Sequence, residues 1–269
     1  MSSLDDNNTN ATLVQCNPLT KQLYSLRVKP DTPFSSLVAG QFVSLALPVP
    51  NPQCQTETVF VKRSYSIVSS EESKDEIELY VARVDGGVLT PHLCDLSVPY
   101  RLWMSPQATG YFVLAEVPTA DVLVLVATGT GLAPYLSMLT SLSTQQLLTR
   151  GYFKKCMLIH GVRQVCDLGY QPLIKRLTQE MPCVYVPVVS RDEQTAWSGL
   201  RGHIQQIFTP HLFESFTGYA LSPLHAQVML CGHPLMIESM QTLLAGYGFK
   251  RHRRKNKGHI HFEKYWDKA

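Results

Sequence analysis

The residues VLVLVATGTGLAP, numbered 122–134, decide the fold class of this chain. The apolar run at its start is typical of a strand that is buried on both faces, as strands of parallel sheets are. Glycines at 129 and 131 follow, and Pro134 suits the first turn of a helix. This order is typical of a doubly wound α/β domain, in which the amides that open the helix bind a pyrophosphate. The third glycine of the Rossmann fingerprint and the Gly-Lys-Thr of a Walker A loop are missing, so a glycine turn without a ligand remains an alternative.

The pattern of apolar runs and helices continues toward the C-terminus. Apolar runs recur at 156–159, 184–189 and 228–230, and helical patterns lie at 133–142, 173–180 and 235–245. Strands that alternate with helices predict a parallel sheet with ligands at the carboxyl ends of its strands.

The residues before this region have a different period. From position 12 to position 114, apolar residues alternate with other residues in short runs, as at 43–47 and 77–81. Glycine and proline interrupt these runs often. Period two with such breaks predicts an antiparallel barrel or sandwich. We therefore expect a disordered segment at 1–11, a β-rich domain at 12–117 and a doubly wound α/β domain at 118–269.

Composition excludes several classes of protein. The 269 residues are 45% hydrophobic and 17% charged, which is globular, and no apolar run approaches the roughly 20 residues of a membrane span. The polar N-terminus is no secretory signal. Seven cysteines are present without a C-x-x-C pair, which argues against an iron–sulfur cluster or structural zinc. We expect a cytoplasmic protein that binds no metal.

A second junction of strand and helix reads CGHP at 231–234. A cysteine at the carboxyl end of a parallel strand faces the crevice where a nicotinamide ring can lie. The alternative is that Cys231 is a small buried apolar residue.

A third segment, RSYS at 63–66, ends a strand in the β-rich half. Arginine pairs with phosphate, tyrosine packs on a flat ring and serine bonds a ring nitrogen. The alternative is an exposed strand with ordinary polar residues.

These motifs occur together in one order, and on them the chain resembles bacterial-type ferredoxin/flavodoxin–NADP reductases from about Thr12 to Trp266. RSYS resembles that family's R-x-Y-S motif. The family's two nucleotide turns are resembled by ATGTGLAPYLSML and VMLCGHP, and its C-terminal tail by GHIHFEKYW. The resemblance implies an FAD-binding antiparallel barrel, an NADP-binding α/β domain and a tail that returns to the flavin. It also implies hydride transfer from NADPH to FAD, then single-electron transfer to ferredoxin or flavodoxin, by a monomer.

The resemblance assigns residue roles as well. Contacts to FAD fall on Arg63, Ser64, Tyr65, Ser66, Tyr80, Val81, Ala82, Arg83, Val88, Leu89, Thr90, Thr130, Tyr265 and Trp266. Contacts to NADP fall on Gly129, Gly131, Val162, Arg163, Ser190, Arg191, Arg201, His203, Cys231 and Gly232. The catalytic group comprises Ser66, Cys231 and Glu263, and a proton relay by Glu263 is a hypothesis that rests on its place in FEKYW.

Charge bears on the choice of coenzyme. The 2′-phosphate of NADPH needs arginines, and Arg163 and Arg191 each follow a predicted parallel strand on the ligand side of the sheet. The family commonly reads T-G-R-I nearby, whereas this chain reads RGHI at 201–204, with His203 in the arginine position. Asp267, Lys268 and Ala269 also extend beyond the aromatic pair.

The basic run KRHRRKNK, at 250–257, is the strongest charge feature. It predicts a docking surface for an acidic electron carrier, because complementary charge speeds encounter. A solvated basic loop is the alternative, and no recognition fold supports nucleic-acid binding. Three rival functions remain open: a flavin-dependent NAD(P)H reductase of another acceptor, a non-catalytic nucleotide-binding regulator and an RNA-binding module.

Overall fold

Two six-stranded sheets make up the protein, whose structure is a computed structural model. It describes residues 9–51, 54–192 and 196–265, without the side chain of Gln55. The first sheet contains β1 (Ala11–Pro18), β2 (Leu23–Pro30), β3 (Phe42–Asn51), β4 (Cys54–Ser66), β5 (Ile77–Ala82) and β6 (Tyr100–Met104). The second contains β7 (Ala120–Thr128), β8 (Phe153–Val162), β9 (Cys183–Val189), β10 (Leu200–Arg201), β11 (Ala226–Gly232) and β12 (Ile260–Lys264).

The first sheet is an antiparallel barrel, which confirms the predicted fold class of this half. Its strand order is β4-β3-β6-β1-β2-β5. The outer strands meet again through an antiparallel bridge between Ile67 and Leu79, and Val68 N donates to Glu78 O across 2.8 Å. Alternate residues of β3, among them Val43, fill the interior. The short helix α1 (Thr90–Cys94) adds Leu93 to this core.

The second sheet is entirely parallel, as the apolar runs predicted. Its order is β10-β9-β8-β7-β11-β12, so the winding reverses between β7 and β11. The helices that cover it are α2 (Ala133–Thr140), α3 (Leu142–Thr149), α4 (Gln171–Glu180), α5 (Pro210–Thr217) and α6 (Pro234–Gly246). Such a reversal opens a crevice at the carboxyl ends of the two central strands.

Local details differ from the sequence prediction. Helix α2, predicted at 133–142, ends at Thr140 because Ser141 is extended and its hydroxyl donates to the Ser137 carbonyl, which competes with the helix. The C-terminal tail contains β12, a sixth parallel strand beside β11. Strand β1 begins at Ala11, and residues 1–8 of the segment expected to be disordered lie outside the described residues. The proposed domain boundary at 117–118 lies between β6 and β7 and stays a prediction.

The barrel and the α/β layers contact each other through polar and aromatic groups. Ser137 Oγ of α2 donates to Ser69 O at 2.6 Å, and Tyr170 Oη donates to Glu78 Oε1 at 2.7 Å. The Tyr80 and Tyr170 rings meet edge to face at 5.0 Å. These contacts bring the end of β4 to the crevice of the parallel sheet. Among the described helices, none is long and apolar enough to cross a membrane.

Candidate functional site

Three side chains predicted as catalytic meet where the barrel faces the crevice. Ser66 is the last residue of β4, and its Oγ donates to Glu263 Oε1 across 3.3 Å. Glu263 lies on β12 directly opposite Cys231 on β11. The arrangement brings together residues from three strands and from both halves of the chain.

Burial controls the ionisation of this group. It raises the pKa of the Glu263 carboxyl to about 7, and the hydrogen bond from Ser66 offsets part of that rise. Burial, with Glu263 nearby, also raises the pKa of the Cys231 thiol well above its usual value. Glu263 can therefore hold or release a proton near neutral pH, whereas Cys231 is a neutral thiol.

The glycines of the two turns have different tasks. A Cβ on Gly131 would overlap the Cys231 carbonyl and lie 3.1 Å from the Gly232 Cα. Gly232 has φ of +137°, and a Cβ there would overlap Thr128 Oγ1 and lie 2.9 Å from the Thr128 carbonyl oxygen. These two glycines let the turns after β7 and β11 pack against each other. Gly129, with φ of +55°, instead has open space where a Cβ would point, which leaves room for a ligand.

Tyr265, near the C-terminus, is hydrogen-bonded to the turn after β7. Tyr265 Oη donates to the Thr128 carbonyl at 3.0 Å and accepts a bond from Thr130 Oγ1 at 2.9 Å. More than a third of Tyr265 remains exposed, and an exposed aromatic ring is a surface against which a planar ligand can pack. Trp266, also predicted to contact FAD, lies outside the described residues, as do the residues at 267–269.

The barrel side of the site shows a gap that suits a ligand. The Tyr65 hydroxyl is buried and has no hydrogen-bond partner among the described residues. A buried hydroxyl without a partner is costly, and a polar group of a bound flavin would satisfy it. Arg63, two residues earlier, is exposed and thus available to a phosphate, although it also donates to the Lys62 carbonyl. The Ser64 hydroxyl lies 3.2 Å from that of Ser44.

Some predicted FAD contacts use their side chains within the protein. Tyr80 is buried against Tyr170, and Arg83 forms an ion pair with Asp95 through its two terminal guanidinium nitrogens. The Thr90 hydroxyl accepts a bond from Val84 N, which shapes the turn before α1. Of the remaining predicted contacts in this region, Val81 and Leu89 are buried, Ala82 is half-buried and Val88 is exposed.

The predicted coenzyme arginines are of two kinds. Arg163 and Arg191 are both exposed and adjacent, since Arg191 N donates to Arg163 O across 2.8 Å. Arg201 is engaged by the backbone, because its guanidinium bonds the carbonyls of Asp192 and Trp197.

The other predicted NADP contacts surround these arginines. The Ser190 hydroxyl donates to the carbonyl of the buried Val162 at 3.1 Å. His203 is exposed and directly precedes the short 3-10 helix Ile204–Phe208.

Three residues around the first nucleotide turn escaped the sequence prediction. Thr128 accepts a bond from His233 N at its hydroxyl, and Tyr135 Oη reaches the carbonyls of Val126 and Met229. His160, inside β8, is fully buried beneath the turn. A histidine within the apolar run CMLIHG was the available sequence signal.

The basic run borders this site. It forms a loop between α6 and β12, in which the Arg254 guanidinium lies 5.7 Å from the Tyr111 ring of the barrel half. Arg251 lies 4.4 Å from the ring of Phe262, the neighbour of Glu263 in β12. Gly110 precedes Tyr111 in the chain, and a Cβ added to it would lie 3.2 Å from the ring of Phe42. Phe42 in turn pairs with Ser66 across β3 and β4. Arg254 therefore lies near the barrel segment that leads to Ser66, whereas Arg251 lies on the opposite face of the parallel sheet from Glu263.

Comparisons with known proteins agree with this geometry. Family models described as an oxidoreductase FAD-binding domain and an oxidoreductase NAD-binding domain match residues 10–105 and 125–242. The chain is 36% identical over 251 residues to a flavodoxin/ferredoxin–NADP reductase of Escherichia coli (strain K12), covering 92% of this chain and 94% of that one. It is 31% identical to the reductase of the same name from Buchnera aphidicola subsp. Schizaphis graminum, with coverage of 96% and 98%.

A solved structure extends the likeness to three dimensions. It is a ferredoxin NADP+ reductase from Neisseria gonorrhoeae with bound FAD and NADP. Its TM-score to this chain is 0.82 at 25% identity, and the match covers 96% of this chain and 98% of that one.

Proposed function

The chain belongs to the flavodoxin/ferredoxin–NADP reductase family, and from this we propose that it moves electrons between NADPH and an acidic flavodoxin or ferredoxin through FAD. The observation that carries the proposal is the Ser66–Glu263 hydrogen bond beside Cys231, at the junction of the barrel and the parallel sheet. When bound, NADPH supplies a hydride, and FAD accepts two electrons together and releases them singly.

The chain's residues bind the two cofactors from opposite sides of this junction. Arg63 offers a cation to the FAD phosphates, and the Tyr65 hydroxyl, which has no partner within the described part of the chain, offers a hydrogen bond. Gly129 leaves room for the coenzyme at the end of β7, and the exposed Arg163 and Arg191 suit its 2′-phosphate. Glu263 holds a proton beside Ser66, at the place where the two cofactors would meet.

The electron acceptor would approach over the basic loop at 250–257. Its cations attract an acidic protein toward the edge beside Ser66, and this attraction raises the rate of encounter. We expect Arg253→Glu combined with Arg254→Glu to slow flavodoxin reduction about tenfold at low salt, with a smaller loss as salt rises. Reduction of menadione, a small neutral acceptor, should change far less. Lys175→Glu with Arg176→Glu, on α4, makes the same change of charge elsewhere and serves as the control.

The whole proposal has one direct test. The purified protein should show the absorbance of bound flavin, and anaerobic NADPH should bleach it at much lower concentration than NADH. The reduced protein should then reduce flavodoxin or ferredoxin. A flavin-free, colourless protein would favour the regulatory alternative, and bleaching without transfer to either carrier would favour a reductase of another acceptor.

Two further parts of the proposal concern the protein's setting. We place it in the cytoplasm, which suits seven free cysteines, and we expect it to work as one chain because all three catalytic residues come from a single copy. Sedimentation of the flavin-loaded protein tests the second point.

A further inference from the structure

His160 is a buried polar residue that the proposed chemistry does not use. It lies in β8 with no exposed surface, directly below the turn that follows β7. Its Nε2 is 3.2 Å from the Gly129 carbonyl oxygen, and its Nδ1 is 3.2 Å from Tyr185 Oη. The Tyr185 hydroxyl in turn accepts a bond from Gln171 Nε2 at 2.9 Å.

The partners decide where the protons lie. A carbonyl oxygen only accepts, so Nε2 of His160 must carry a hydrogen and donate it to Gly129. Burial lowers the pKa of His160 to about 4, so the ring is neutral near pH 7 and its Nδ1 accepts. The Tyr185 hydroxyl therefore donates to Nδ1. The result is a directed chain of hydrogen bonds from Gln171 through Tyr185 and His160 to Gly129.

This chain sets the direction of one amide at the nucleotide turn. The carbonyl of Gly129 and the N–H of Thr130 belong to the same peptide unit, which is trans and planar. The two groups therefore point in opposite directions. Because His160 draws the carbonyl toward the interior of the sheet, the Thr130 N–H points away from it, toward the crevice. Amides at the start of a helix in this orientation bind anions.

We propose that His160 is a positioning residue for the pyrophosphate end of the coenzyme, holding the Gly129–Thr130 peptide in its binding orientation. The inference rests on the proposed function, in which NADP(H) lies at the turn after β7. Without this donor the Gly129 carbonyl loses its side-chain partner, and the Gly129–Thr130 peptide is held only within the short 3-10 helix Gly129–Leu132, whose first residue has φ of +55°.

The test compares two ligands and three variants of the flavin-loaded protein. His160→Phe keeps a ring but removes the donor. His160→Gln places an amide nitrogen near the position of Nε2 and restores it. Tyr185→Phe removes only the hydroxyl that donates to Nδ1. Calorimetry measures binding of NADP+ and of adenosine 2′-monophosphate, which has the 2′-phosphate and lacks the pyrophosphate and the nicotinamide.

We expect His160→Phe to weaken NADP+ binding about five- to tenfold, which is the usual effect of one lost hydrogen bond. Its affinity for adenosine 2′-monophosphate should stay within about twofold, because the arginines that take the 2′-phosphate lie on the turns after β8 and β9. His160→Gln should bind NADP+ nearly as the unchanged protein does, and Tyr185→Phe should show a smaller loss. A general loss of stability would weaken both ligands together.

The control is His225→Phe, at the opposite end of the same sheet, where His225 pairs with Asp121. Equal weakening of both ligands by His160→Phe, or no weakening of either, would overturn the inference. If that variant does not fold, Tyr185→Phe and His160→Gln decide in its place. Selective loss of NADP+ binding in Tyr185→Phe, together with nearly unchanged binding in His160→Gln, supports the role. Unchanged NADP+ binding in Tyr185→Phe refutes it. Failure of the unchanged protein to bind NADP+ would instead refute the proposed function.

Discussion

Ser66 Oγ and Glu263 Oε1 lie 3.3 Å apart although 197 residues separate them in the chain. The bond joins the last residue of a barrel strand to the outermost strand of the parallel sheet. A carboxyl whose pKa lies near neutrality is thus placed at the contact of the two halves, and its ionisation can be measured.

The first prediction concerns stability and pH. The pKa of Glu263 is raised from 4.5 to about 7, so the folded protein favours the protonated form. That stabilisation is complete below the ordinary value and is lost as pH rises from about 4.5 through 7. Glu263→Gln mimics the protonated acid, so it should match the unchanged protein at pH 4 and exceed its stability by about 1–3 kcal/mol at pH 8.

Urea unfolding at several pH values provides the measurement. Glu180→Gln, on the exposed surface of α4, is the control and should follow the unchanged protein at every pH. A constant difference between Glu263→Gln and the unchanged protein from pH 5 to pH 8 would contradict the raised pKa.

A second prediction concerns the rate of flavin reduction. The Ser66 bond lowers the pKa of Glu263, so Ser66→Ala should raise it further. If Glu263 holds the relevant proton, the pH–rate profile for reduction by NADPH should shift toward higher pH in this variant. Ser64→Ala leaves the Ser66 donor in place and should not move the profile, whatever it does to FAD affinity. Glu263→Gln should abolish the transition of the rate profile near pH 7. If the transition persisted in this variant, another group would be the one that titrates.

The arginines provide a third prediction. Arg163→Ala and Arg191→Ala should each raise the KM for NADPH about 10- to 100-fold and leave the KM for NADH nearly unchanged, since each removes a charged partner of the 2′-phosphate. Arg201→Ala should act on both coenzymes alike, because its guanidinium fastens the backbone at Asp192 and Trp197. Steady-state kinetics with both coenzymes distinguishes these outcomes. Equal effects of Arg163→Ala on NADPH and NADH would exclude a phosphate contact.

The glycines provide a fourth. Gly131→Ala forces a methyl group into the Cys231 main chain and should cost about 2 kcal/mol or more as the two turns separate. Gly129→Ala meets no atom within 4 Å, and its cost should be about 1 kcal/mol, from the left-handed backbone alone. Thermal unfolding measures both. A smaller loss at position 131 than at 129 would mean that the turns are not tightly packed.

The fold class could be predicted from the sequence because the main strands of both sheets have clear hydrophobic patterns. Alternation at 43–47 indicated a barrel strand, and the run at 122–126 indicated a central parallel strand. Strand β10 has only two residues, Leu200–Arg201, and β12 has five, so neither produces a period that a sequence window detects. Packing against β9 and β11 makes them strands.

The site was only partly accessible for a related reason. Motifs placed Ser66, Cys231 and Glu263 at strand ends, and the parallel sheet implied that such ends converge. The separate tasks of Gly129 and Gly131 could not be read from sequence, because they depend on what approaches each glycine from a distant turn.

By itself, the sequence determined the two kinds of sheet and the glycine turns, since these follow from local periodicity and backbone freedom. Its motifs, through resemblance, also determined the pair of cofactors. Only the tertiary structure decided that Glu263 titrates near neutrality, that Arg201 binds the Asp192 and Trp197 carbonyls and that His160 supports the Gly129 turn. Each of these three properties depends on burial and on partners remote in sequence. No single segment of the chain encodes either the burial or the partners.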